Sequence, residues 1–75
     1  MNICFVDKTD FQYDSNDIHS SKLRGAETVI INLSSALKNN GHNITVINNC
    51  PKNTIINGIN WININSNYKF ENFDL

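Results

Sequence analysis

The residues best placed for chemistry in this sequence lie between Asp7 and Ala26. Asp7 closes a short apolar run, Ile3-Cys4-Phe5-Val6, and Gly25-Ala26-Glu27 opens a stretch with helical periodicity. In open α/β sheets ligands bind beyond the carboxyl ends of the strands, where a strand passes through a loop into a helix. The first N–H groups of a helix have no intrahelical partner. Together with the helix dipole they suit an anion such as phosphate. A glycine at that point, Gly25, lets a ligand approach the backbone closely. Ala26 shares the same N–H cluster, and the guanidinium of Arg24 can meet a phosphate oxygen. Asp7, at the strand tip, either takes part in the site or caps the loop as a turn residue. His19 sits in the intervening loop, where it can contact a ligand. The competing interpretation of Gly25 is a simple helix start.

Other chemistries find no support in the residue pattern. There is no G-x-G-x-x-G, and the second apolar run ends in Asn48-Asn49 rather than in the acid that would hold a ribose hydroxyl. A P-loop is absent. His19 and His42 lie far apart and neither has a second ligand nearby in sequence, so no zinc spacing exists. No metal and no cofactor are implied. Six basic against seven acidic residues, net charge -1, form no footprint for nucleic acid and no polybasic membrane patch. No apolar run approaches the roughly 20 residues of a membrane span. Cys4 lies in an apolar run, where a buried free thiol is the usual state. No secretory signal precedes it. Both Cys4 and Cys50 are therefore expected to be reduced and the protein cytoplasmic.

The elements that must position these residues follow from periodicity. Ile3 to Val6 suits a strand buried on both faces of a parallel sheet. Lys8 to Lys22 is polar and aperiodic, a long loop of the kind that is functional or disordered. Ala26, Val29, Ile30, Leu33, Ala36 and Leu37 have the spacing of one buried helix face. Glu27 and Lys38 complement the two ends of the helix dipole, and Gly41 suits the left-handed residue after the helix. His42, next in sequence, can interact with the last helical carbonyls. Ile44 to Ile47 forms a second strand, parallel to the first. Asn57-Gly58 between Thr54–Ile56 and Ile59–Ile64 marks a hairpin, since both turn positions need positive φ. The pattern predicts strands near 2–6, 43–47 and 59–64 and a helix near 25–40. The expected core is Ile3, Phe5, Val29, Ile30, Leu33, Leu37, Ile44 and Val46. One helix can cover one sheet face only, so Cys4, Val6, Thr45 and Ile47 are expected to be exposed on the other and to promote self-association.

Several segments of the chain resemble the start of GT-B-fold glycosyltransferases. They are Met1 to Asp7, Leu23-Arg24-Gly25-Ala26-Glu27-Thr28, Leu33-Ser34-Ser35-Ala36-Leu37 and Gly41-His42-Asn43-Ile44-Thr45-Val46. They are similar to the family 4-like (group 1) N-terminal domain of the retaining type, which carries Gly-Gly-Ala-Glu entering its first helix and Gly-His-x-Val/Ile-x-Val entering its second strand. Ile56-Asn57-Gly58-Ile59-Asn60-Trp61-Ile62 resembles the segment leading to that family's third strand. The resemblance covers nearly the whole chain. It departs from the pattern at Arg24, where the family has its first glycine. It implies residues 1–75 as one partial Rossmann-like domain, an N-terminal fragment of a GT-B domain: α/β, β-α-β plus a β-hairpin. It also implies transfer of a sugar from a nucleotide-sugar donor to an acceptor hydroxyl (on a sugar, lipid or protein glycan). The turn of Arg24, Gly25 and Ala26 would lie near the donor phosphates. A chain of 75 residues is expected to be inactive alone, because the domain that grips the nucleotide is missing. The competing expectations are a small non-catalytic interaction module and a truncated product with no activity of its own.

Overall fold

The computed structural model of the chain describes residues 1–8, 12–17 and 24–66. Strand β1 covers Asn2–Val6 and helix α1 Gly25–Asn39, followed by strands β2 (Asn43–Asn48), β3 (Thr54–Ile56) and β4 (Ile59–Asn63). A 3-10 turn spans Ser15–Asp17. The strands form one sheet in the order β1-β2-β4-β3. β1 and β4 flank β2 in parallel, and β3 pairs antiparallel with β4. The expected α/β class, the parallel pairing of the first two strands and the hairpin are all present.

Local chemistry accounts for each boundary. β2 is central and rich in β-branched residues, and Ile44 to Asn48 are buried on both of its faces. α1 ends in a Schellman arrangement: His42 N–H donates to Leu37 O and Gly41 N–H to Lys38 O, with Gly41 at φ 91°. The backbone of His42 thus takes the role expected at the helix end, while its ring stands 3.2 Å from the Met1 ammonium. The hairpin turn has φ 52° at Asn57 and 80° at Gly58, the paired positive values of a type I′ turn. A Cβ at Gly58 would meet Lys38 Cε at 2.5 Å, so the helix end packs on the turn.

The core lies between α1 and one face of the sheet. Ile3, Tyr13, Ile31, Ile44, Val46, Cys50, Ile59 and Trp61 form it, with Phe5, Ile30, Leu37 and Ile56 packed around it. Two of the expected core residues are not in it: Val29 is 61% and Leu33 44% exposed. The buried stripe of α1 is instead Glu27, Ile31 and Ser34, so the helix is turned about its axis from the face its apolar residues predict. The reason lies outside the helix. Tyr13 and Trp61, both fully buried, pack edge to face with centroids 5.8 Å apart and fill the space beneath it. The loop expected from Lys8 to Lys22 also reaches the core, since of its described residues Tyr13, Asp14 and Ser15 are buried. The far sheet face is also less open than expected. Val6 is exposed and Cys4 half-buried, but Thr45 and Ile47 are buried.

Candidate functional site

Arg24 precedes α1 in an extended conformation. Its backbone N–H donates to Glu27 Oε1 at 3.3 Å, and its Nε donates to the same oxygen at 2.7 Å. This is half of a capping box. The other half cannot form, since a guanidinium has no acceptor for a helix N–H. The first backbone bond of the helix runs from Thr28 N–H to Arg24 O. Among the described residues, nothing accepts from the N–H groups of Gly25 and Ala26. The Glu27 side chain is 2% exposed and that of Arg24 61%. The bond from Arg24 is the main reason the Glu27 carboxyl stays below its usual range, against the opposing effect of burial. The pair leaves the helix start close to neutral at its side chains, so the aligned backbone supplies the positive field.

Gly25 itself is unconstrained by packing. Its φ is not positive, and a Cβ built on it meets nothing within 4 Å. The backbone at the head of α1 is therefore open on that side, and both Gly25 and Ala26 are exposed. Among the described residues no pocket encloses this surface.

Asp7 stands at the carboxyl end of β1, half-buried, and accepts a 2.7 Å hydrogen bond from Tyr13 Oη. Segment 12–17 is fastened at two further points. Asn48 Nδ2 donates to Tyr13 O at 3.0 Å, and Trp61 Nε1 donates to Ser15 Oγ at 2.9 Å. The tips of β1 and β2 and the core face of β4 are thus each bonded to this one segment. Burial first, then the bond to Asp7, raises the Tyr13 phenol well above its ordinary value. The structure brings Asp7, Tyr13 and the head of α1 to the same end of the sheet, with Asp7 acting as the anchor of the loop. His19 lies outside the described residues.

Tyr13, Ser15 and Asn48 are the members of this end to which residue patterns gave no role. The signal for Tyr13 and Ser15 is faint: a lone aromatic in a polar stretch, and a tryptophan whose N–H needs an acceptor once buried. Glu27 was legible only as a dipole partner, not as a buried side chain. Among the described residues no group of His, Cys, Asp and Glu is arranged to hold a metal, and Cys4 and Cys50 are free. No described helix is long and apolar enough to cross a membrane. Comparisons of the chain with protein-family models, with curated proteins and with solved structures return no match.

Proposed function

We propose that this chain is the opening β-α-β part of a nucleotide-sugar-dependent glycosyltransferase of the cytoplasm, with the donor diphosphate meeting α1 at Gly25. The observation that carries the reading is that nothing in the fold asks for a glycine there. Its φ is open to any residue and no neighbour crowds its Cβ position, while glycine is a poorer helix former than alanine. A ligand that must reach the N–H groups of Gly25 and Ala26 supplies the missing reason. The resemblance of Arg24 to Thr28, and of Gly41 to Val46, to the glycosyltransferase pattern points to the same place. The Arg24 guanidinium, held by its Nε bond to Glu27, stands beside the same N–H groups with its side chain 61% exposed. Stabilising the charge of the leaving diphosphate is usually the largest catalytic contribution. This chain provides that half of the site, and the domain that would close over the nucleotide completes it. Residues 1–75 alone therefore bind donor weakly and turn none over.

The test is a titration of the isotope-labelled chain with a panel of nucleotide-sugars and with inorganic diphosphate, followed by amide NMR. Shifts centred on Gly25, Ala26 and Glu27, lost in Gly25→Val with the remaining spectrum preserved, are expected. Shifts elsewhere, or unchanged binding by Gly25→Val, would remove the assignment. A non-catalytic interaction module is the second reading, favoured by the apolar flank of α1 that Val29 and Leu33 leave exposed. It predicts no response at Gly25 to any diphosphate.

A further inference from the structure

Asparagine precedes glycine twice in this chain, at Asn40-Gly41 and at Asn57-Gly58. In such a pair the glycine nitrogen can attack the asparagine Cγ, because the glycine has no side chain to shield it. The five-membered ring closes only when that nitrogen eclipses Cβ about the Cα–C bond. For an L-residue this sets ψ of the asparagine near -120°, the value at the first central residue of a type II′ turn, where φ is positive. Both pairs are exposed, so backbone geometry and not burial distinguishes them. Asn40 is the C-cap of α1, with φ -89° and ψ 12°. Its N–H donates to Ala36 O and Leu37 O, and the Gly41 N–H that would have to attack donates to Lys38 O at 3.0 Å. At that negative φ, a ψ near -120° lies outside the allowed regions. Asn57 differs on each count. Its φ is already 52°, and among the described residues the Gly58 N–H makes no hydrogen bond. Turning over the Asn57–Gly58 peptide converts the type I′ turn to type II′, and either turn closes a two-residue hairpin. That flip keeps φ positive at Asn57, brings Gly58 N to Asn57 Cγ and leaves the pairing of Ile56 with Ile59 in place.

We propose that Asn57 is a site of covalent self-modification: the β3–β4 turn deamidates in the folded chain, while the matching pair at the end of α1 is protected. In the first step Gly58 N bonds to Asn57 Cγ. The side-chain amide nitrogen leaves with the Gly58 proton as ammonia, and a succinimide remains. Water then opens either of the two ring carbonyls, leaving aspartate or isoaspartate at this position. Both products add one negative charge to the turn. A cation is already at hand, because the Lys38 side chain lies across Gly58, with Cε 2.5 Å and Nζ 3.3 Å from where a Cβ on that glycine would stand. The isoaspartate carries the chain through Cβ and so lengthens the loop by one backbone atom, which a two-residue turn does not accommodate. The modification thus loosens the pairing of β3 with β4. It is independent of the glycosyltransferase reading, and no ligand enters its test.

The 75-residue chain, held folded in mildly alkaline buffer, is sampled over time by proteolysis and mass spectrometry. Conversion of amide to acid at Asn57 should run about tenfold faster than at Asn40, since hydrogen bonds at the helix end must break before Gly41 N can attack. In urea, where neither backbone is held, the two rates should converge. Methylation by an isoaspartate-specific methyltransferase should label the peptide that contains Asn57. Asn57→Gly accepts the same positive φ, so it should keep the circular dichroism spectrum and leave that peptide unlabelled. Conversion at Asn40 as fast as at Asn57 in the folded chain, a ratio of rates unchanged by urea, or label that persists in Asn57→Gly would overturn the proposal.

Discussion

Tyr13 and Glu27 hold opposite charge states in place at the same end of the sheet, and the pH dependence of stability should show both. Burial, then the hydrogen bond to Asp7, keeps the Tyr13 phenol protonated above its ordinary 10.0. The folded chain thus retains a proton that the unfolded chain releases. That contribution is complete below pH 10 and is lost as the pH rises beyond it. Glu27 behaves the other way. Chiefly through its bond from Arg24, its carboxyl is held below the ordinary 4.5, so its contribution is present above that value and lost as the pH falls below it. Urea unfolding followed across the pH range should therefore show an alkaline limb that Tyr13→Phe removes and an acid limb that Glu27→Gln flattens. At neutral pH Tyr13→Phe should cost about 1.5–3 kcal/mol, the loss of one part-buried hydrogen bond to a charged acceptor. An alkaline limb of the same size in Tyr13→Phe would show that the phenol does not carry it.

At the scale of the element, α1 separates propensity from packing. Its sequence places apolar residues at Ala26, Val29, Ile30, Leu33, Ala36 and Leu37, of which Ile30 and Leu37 pack at the margin of the core, yet the fully buried positions are Glu27, Ile31 and Ser34. Ser34 is small enough for the helix to sit close to the sheet, although its hydroxyl makes no hydrogen bond among the described residues. Two substitutions two residues apart, on different sides of the helix, distinguish the faces. Ile31→Ala should cost about 2–5 kcal/mol, the range for emptying a buried aliphatic site. In a chain of this size that is a large part of the total stability. Leu33→Ala, at a position 44% exposed, should stay within about 0.5 kcal/mol. Thermal unfolding of both variants decides between the faces, and the reverse ranking would return α1 to the orientation its apolar periodicity suggests.

Across the whole molecule, stability converges on Trp61, the sole tryptophan. It lies on β4 beside Val46, stacks edge to face with Tyr13 and donates to Ser15, 46 residues earlier. Its fluorescence therefore reports the docking of the loop, the sheet and the helix together. A single core of this kind should unfold in one step, with tryptophan emission and far-ultraviolet dichroism tracing the same transition. Ser15→Ala leaves the buried indole N–H unpaired and should lower stability by about 1–3 kcal/mol, moving both probes equally. If emission changed before dichroism, segment 12–17 would be opening apart from the sheet.

The elements themselves were legible from residue order, because their causes are local. The β-branched run of Ile44 to Ile47, the Asn57-Gly58 turn and the Gly41 helix stop each act through φ, ψ and neighbouring hydrogen bonds. The head of α1 at Gly25 was legible for the same reason, since unpaired N–H groups belong to any helix start. Three features were decided only by the tertiary structure: which face α1 buries, the role of Asp7, and the entry of Tyr13 into the core. Each depends on contacts between residues far apart in the chain, such as Asn48 with Tyr13 and Trp61 with Ser15. Periodicity records that a helix has an apolar stripe. It does not record that two aromatic rings from elsewhere already occupy the space beneath it, and close packing then sets the rotation of the helix.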